Sequence, residues 1–187
     1  MTTASGTRTG RRPIRCLRQS PYVTLAWLAD RRDRLSSAIP NVIHFQREED
    51  AEYLITSSVP GALLKDVWRG MPEDERRHLA GRIIEICEEP ASTWASNAMS
   101  GVDGWRLFEN WLNFCVGLPR TCEPDEDNIQ NIRERLGMDY SKPFVFAHGG
   151  IGGGEVVIDS DGSIGLINWA NAGYCPWGWA RTKFACS

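Results

Sequence analysis

The stretch from Phe144 to Phe184 constrains the fold of this chain more than any other. It opens with the apolar run Phe-Val-Phe-Ala, which suits a short buried strand. At His148 it enters a loop that holds Gly149, Gly150, Gly152, Gly153 and Gly154. Two further apolar runs, Val156 to Ile158 and Ile164 to Ile167, flank Asp161-Gly162, a strong signal for a tight hairpin turn. Asn168-Trp169 follows the hairpin directly.

The rest of the chain reads as elements built around this stretch. Ser20 and Pro21 suit the start of a helix, with Tyr22, Leu25, Leu28 and Ala29 on one face and a stop before Ile39-Pro40. Asn41 to Phe45 and Glu52 to Ser57 read as a hairpin joined by the acidic turn Arg47 to Asp50. Val59-Pro60-Gly61 breaks the chain, and Leu63 to Trp68 suits a short helix. A longer helix starts at Pro72 with Glu73, Asp74 and Glu75 in its first turn. It carries a stripe of Leu79, Ile83, Ile84 and Cys87 and ends at Pro90. Residues 91–104 read as a loop. Two further helices are expected, one on Trp105, Phe108, Leu112 and Cys115, the other from Asp125 with Ile129, Ile132 and Leu136 inside. A few strands followed by a mostly helical body with an inserted hairpin is the α+β pattern.

With 187 residues, 42% of them hydrophobic, the chain can bury one sizeable core, placed here in a domain over residues 20–187. Residues 1–19 read as a basic disordered tail carrying Arg8, Arg11, Arg12, Arg15 and Arg18, a composition that also suits a mitochondrial presequence. The formal net charge of −3 gives no reason to expect a nucleic-acid partner. No apolar run approaches the roughly 18 residues of a membrane span. Six scattered cysteines without a CxxC pair read as reduced structural thiols, which makes a cytoplasmic location the expectation.

The loop His148-Gly149-Gly150, four residues, Glu155, then the hairpin and Ile167-Asn168-Trp169, resembles that of the aminoglycoside phosphotransferase and choline kinase-like family. The ending from Trp169 through Ala172-Gly173-Tyr174 to Pro176-Trp177 supports the resemblance. In that family the loop reads His-Gly-Asp, four residues, Asn, and the hairpin leads to Ile-Asp-Trp. The resemblance implies a protein kinase-like fold, with reduced N-lobe strands and a mostly helical C-lobe. It makes Val59-Pro60-Gly61 the linker between lobes, although Pro-Gly is also an ordinary tight turn. Family members carry a strand lysine ahead of the first large helix, whereas no lysine precedes Lys65 here. They also usually continue into further helices where this chain reaches Ser187.

The three positions that would carry the chemistry are changed. Gly150 stands at the base position and has no group to accept a proton, a function typically worth about 10²–10⁴-fold in rate. Asn168 stands where a metal-binding Asp is expected and offers a neutral oxygen, a weak ligand for a hard cation. Glu155 replaces the metal-binding Asn. The expected function is therefore a degenerate, small-molecule-binding pseudoenzyme or accessory protein, with Gly149, Gly150, Gly152, Asn168 and Trp169 as binding residues. One alternative is an atypical kinase using ATP and Mg²⁺, with Glu155 and Asn168 as metal ligands. Another is a repurposed isomerase or cyclase in which His148 and Glu155 move protons, whereas the resemblance implies a structural His148 that hydrogen-bonds the loop backbone. A small-molecule ligand is the expected partner, with a homodimer or a partner chain completing the reduced N-lobe. No role falls to His44 or His78, and Trp177 and Trp179 read as core.

Overall fold

A computed structural model describes residues 20–48, 51–104, 107 and 143–179. The tail 1–19, the helices expected from Trp105 and Asp125, and Cys16, Cys115, Cys122 and Cys186 lie outside the described residues. In chain order the elements are α1 (Pro21–Ala29), β1 (Val42–Arg47), β2 (Glu52–Thr56), β3 (Ala62–Leu63), α2 (Leu64–Val67), α3 (Glu73–Thr93), β4 (Ala95–Ser96), β5 (Phe144–Ala147), β6 (Val156–Ile158), β7 (Ile164–Leu166) and β8 (Gly173–Cys175). The strands form an antiparallel pair β1-β2 and two three-stranded sheets, β3-β6-β7 and β4-β5-β8.

Helix α1 begins at Pro21, whose fixed φ and missing N–H suit a first helical turn. It ends at Ala29, well before Ile39-Pro40, and a short 3₁₀ turn over Arg32–Arg34 follows. Its buried face holds Thr24, Leu25 and Leu28, while Ala29 is exposed. Strand β1 runs two residues further than its apolar pattern implies. Arg47 is a strand residue that pairs with Glu52 in both register and charge.

Helix α3 differs most from expectation. Three acidic residues occupy its first turn, as its sequence requires. Pro90, however, lies inside the helix rather than ending it. A proline near a helix end costs one backbone hydrogen bond, and Pro90 is buried, which offsets part of that loss. Ser92 and Thr93 both donate hydroxyl hydrogen bonds to the Glu89 carbonyl, and the Trp94 N–H bonds the Pro90 carbonyl. The buried stripe is Leu79, Ile83, Ile86 and Pro90, at helical spacings of four, three and four. Ile84 is 45% exposed and Cys87 only half-buried, so the stripe sits one residue round from the expected one. Strand β4, which follows α3 and pairs with β5, lies within the region expected to be loop.

Phe146 anchors the core on β5. Trp27 from α1, Trp94, Tyr174 from β8 and Trp169 surround it at ring separations of 4.9 to 6.4 Å. Such aromatic pairs add about 0.5–1.5 kcal/mol each beyond the area they bury. Trp179 joins the buried set, whereas Trp177 is 40% exposed and is not core.

Two short pairings tie the segments flanking the N-terminal hairpin to the β6-β7 hairpin. Ala38 bridges β7 through its N–H to the Ile164 carbonyl and its carbonyl to the Leu166 N–H. Strand β3 pairs with β6 immediately after the 59–61 turn. Gly61 makes that pairing possible: at φ 121°, a Cβ there would lie 2.3 Å from the Ile158 carbonyl oxygen. Gly165 has the same necessity from the other side, because a Cβ on it would lie 2.3 Å from Cγ1 of Val59.

Candidate functional site

These connections leave a cavity of about 570 Å³ between the N-terminal hairpin and the β6-β7 hairpin. Pro21 and Leu25 of α1 close one side, with Pro40 beside them. Leu54 and Thr56 project from β2, and the connecting segment supplies Ser57, Ser58, Val59 and Gly61. Leu63, Val157, Ile167, Asn168 and Trp169 complete the lining. The volume falls within the roughly 300–1,000 Å³ of ordinary small-molecule sites. Alternation along β2 explains why Leu54 and Thr56 face inward while Tyr53 and Ile55 are exposed.

Of the residues singled out from sequence, Asn168 and Trp169 line this cavity. Asn168 is exposed and adopts a left-handed conformation, φ 63° and ψ 59°, which asparagine tolerates better than most residues. Trp169 is buried and donates its indole N–H to the Leu166 carbonyl at 2.9 Å, which fixes the ring at the base of the cavity. His148, Gly149, Gly150, Gly152 and Glu155 are not part of the lining.

His148 is buried behind the loop. Its Nε2 lies 2.9 Å from the Ile167 carbonyl oxygen and its Nδ1 lies 3.4 Å from the Gly150 N–H. A carbonyl only accepts, so Nε2 carries the proton, and the Nδ1 lone pair faces the Gly150 donor. This is a neutral imidazole committed to backbone on both sides, stacked obliquely on Trp169 at 4.5 Å. The geometry favours a histidine that sets the loop's shape over one that exchanges protons with a ligand.

The glycines of the loop have separate causes. Gly149 alone among the loop's five has a left-handed φ, 75°, and a Cβ on it would come within 1.9 Å of the Asn171 carbonyl oxygen. Gly153 packs on Lys65: its carbonyl accepts the Lys65 N–H at 2.9 Å, and a Cβ on it would meet Lys65 Cβ at 3.3 Å. Gly150 faces Asn171, whose side-chain amide nitrogen lies 3.4 Å from where a Cβ would be. The amide of Asn171, which sequence reasoning passed over, therefore stands in front of the position at which the resembled family carries its base.

Glu155 holds the loop's end through its backbone. Its N–H bonds the Gly152 carbonyl at 3.1 Å, and its carbonyl accepts the Ile167 N–H at 2.9 Å. Its carboxylate turns back toward Gly152. Among the described residues no group of three or more His, Cys, Asp or Glu side chains is gathered for a metal. Among the described residues the cavity offers one neutral amide, Asn168, as a side-chain oxygen of metal-ligand type besides its hydroxyls. That donor set does not fit a Mg²⁺ ion holding phosphates, which takes one or two carboxylates.

Sequence reasoning named the 59–61 turn but missed Pro21, Leu25, Leu54, Thr56 and Val157. The inward alternation of β2 was the available signal for Leu54 and Thr56. For Pro21 and Leu25, nothing in the sequence shows that α1 abuts the cavity.

The architecture is an α+β, protein kinase-like fold. Three solved structures share it: a GDP complex of an aminoglycoside 2′-phosphotransferase IIIa mutant (13% identity, TM-score 0.52), the streptomycin–ATP–APH(2″)-IIa ternary complex (14%, 0.51) and ADP-bound APH(2″)-Ib (13%, 0.51). Each match covers 83% of this chain but only 57%, 55% and 56% of the respective structure. The chain thus spans little more than half the length of these phosphotransferases. No protein-family model and no curated protein sequence matches it. The resemblance read from the loop is supported at the level of fold. Among the described residues no helix is long and apolar enough to cross a membrane.

Proposed function

We propose that this chain is a kinase-like protein that keeps the cleft between its two hairpins as a small-molecule site and does not transfer phosphoryl groups. The carrying observation is the position of Gly150. It supplies no side chain, and the space before it is bounded by the Asn171 amide, a group with no basic lone pair. The neutral Asn168 in the cleft and the carboxylate of Glu155 turned toward Gly152 support the same reading. Phosphoryl transfer is mostly positioning plus charge stabilisation, so removal of both the orienting group and the metal carboxylate leaves little of the machinery. The neighbours are named as aminoglycoside phosphotransferases, and the cleft is the part of that architecture that this chain retains as a candidate binding site.

The test is a phosphoryl-transfer assay on the full chain with ATP and GTP, Mg²⁺, and a panel of amino- and hydroxyl-bearing acceptors. Nucleoside diphosphate formation at the buffer rate is expected. Turnover that Glu155→Gln abolishes would overturn the proposal and establish Glu155 as a metal ligand.

A further inference from the structure

The β1-β2 hairpin is a sheet of two strands, and among the described residues neither of its long edges meets a further strand. An isolated pair is marginal in water, whereas three or more strands with an apolar face hold together. From the free edge of β2 we infer that this strand pairs antiparallel, centred on Leu54, with β2 of a second copy of the chain.

The two edges differ in character. Strand β1 carries a bulge at Ile43 and the polar residues His44, Gln46 and Arg47, the devices by which edge strands resist pairing. It also packs on α1, where Tyr22 stacks on Phe45 at 4.0 Å. Strand β2 runs Tyr-Leu-Ile-Thr from Tyr53 to Thr56, with no charge, proline or bulge. Tyr53 and Ile55 are each more than half exposed.

The backbone phase suits the same pairing. At the turn the Glu48 N–H bonds the Ala51 carbonyl. Antiparallel alternation from there commits the backbone groups of Tyr53 and Ile55 to Gln46 and His44. The bond from the Ser57 N–H to the Asn41 carbonyl keeps this phase past the bulge. The N–H and C=O groups of Glu52, Leu54 and Thr56 therefore point to the free edge.

A two-fold axis beside Leu54 sets these three residues against Thr56, Leu54 and Glu52 of the second copy, and every outward backbone group finds a partner. On the outer face Tyr53 lies opposite Ile55 of the second copy and Ile55 opposite its Tyr53, an aromatic against a β-branched residue in both places. No like charges meet. Glu52 lies opposite Thr56, and its carboxylate is already paired with Arg47 of its own hairpin. Thr56 also lines the cleft, so the pairing brings Glu52 of the second copy to the cleft's margin.

The experiment is sedimentation velocity of the full chain over a concentration series, on wild type and two double variants at these exposed positions. Wild type is expected to show a reversible monomer–dimer equilibrium. Tyr53→Lys with Ile55→Lys sets lysine against lysine twice and is expected to weaken the dimer at least tenfold. Tyr53→Lys with Ile55→Glu sets lysine against glutamate twice and is expected to keep the dimer within threefold of wild type. Amide exchange on wild type reads the same contact without a substitution: the Leu54 amide should exchange at least tenfold more slowly where the dimer dominates. A wild-type chain that stays monomeric at every concentration overturns the inference, whichever other strand then takes the edge. A dimer that the double-lysine variant leaves intact, that the lysine–glutamate variant loses, or in which Leu54 exchange is unchanged also overturns it.

Discussion

Substituting Gly165 with alanine tests how the cleft is built. The new methyl carbon would stand 2.3 Å from Val59 Cγ1 and 3.3 Å from the Ala38 carbonyl oxygen. Carbon atoms pack at about 3.5–4.0 Å, so Val59 must retreat by about 1.2 Å or more. Ala38 is fixed to β7 by two hydrogen bonds, which leaves the 57–61 segment as the part that moves. Overpacking of this kind costs about 1–3 kcal/mol. The reduced freedom of the unfolded chain returns about 0.4–1 kcal/mol, for a net loss of about 1–2 kcal/mol. Val59→Ala alone loses about 1 kcal/mol, given its half-buried side chain. In the double variant the clash disappears, so the two losses should not add: it should be more stable than their sum by about 1 kcal/mol or more. Urea unfolding of the four proteins measures this cycle. If the losses add to within about 0.3 kcal/mol, or Gly165→Ala is as stable as wild type, then Val59 does not sit against β7 and the account of the cleft fails.

Removing the His148 ring by alanine should cost about 2–4 kcal/mol in chemical denaturation, because it leaves the half-buried Ile167 carbonyl without its imidazole donor and a cavity beside Trp169. Gly150→Asp should fold with a loss below about 1 kcal/mol by thermal melting, since Gly150 does not hold a left-handed φ and its Cβ site clears Asn171 by 3.4 Å. Burial, aided by the neighbouring Glu88 charge, pushes the Cys87 thiol up to about 12. Its raised value means the neutral thiol is favoured by folding: the contribution is complete below pH 9 and is lost as pH rises toward 12. Stability should therefore fall above pH 9 by at most about 1.4 kcal/mol per unit from this group, and Cys87→Ala should flatten that slope. Asp161 works in the opposite direction. The Ser163 N–H, 2.8 Å from its Oδ1, lowers its pKa, so the protection of the turn's amides, taken relative to their intrinsic exchange rates, should fall as pH drops into the acid range.

The β6-β7 hairpin was legible because Asp161-Gly162 and its flanking apolar runs specify it locally. The same holds for the start of α3, where three acids meet a helix N-terminus. The end of α3 was not legible, since Pro90 continues the helix through tertiary burial and side-chain bonds from Ser92 and Thr93. Ile84 and Cys87 were placed inside because their apolar character outweighed a phase difference of one residue. Strands β3, β4 and β8 are two or three residues long and carry no periodicity of their own; their partners make them strands. At the site, the sequence located Asn168 and Trp169 through the loop's frame. The resemblance implied a His148 that bonds loop backbone, but not that its partner is the Ile167 carbonyl or that Asn171 meets Gly150, because both depend on how the loop folds back on itself.

The most direct test of the central claim is calorimetric titration of the purified, monomeric or otherwise monodisperse chain with ATP, in matched buffers with and without Mg²⁺. The account predicts that Mg²⁺ changes the ATP affinity by less than twofold and that no nucleoside diphosphate accumulates in the cell. Magnesium-dependent tightening of tenfold or more, with diphosphate formation, would show a rebuilt metal site and contradict it.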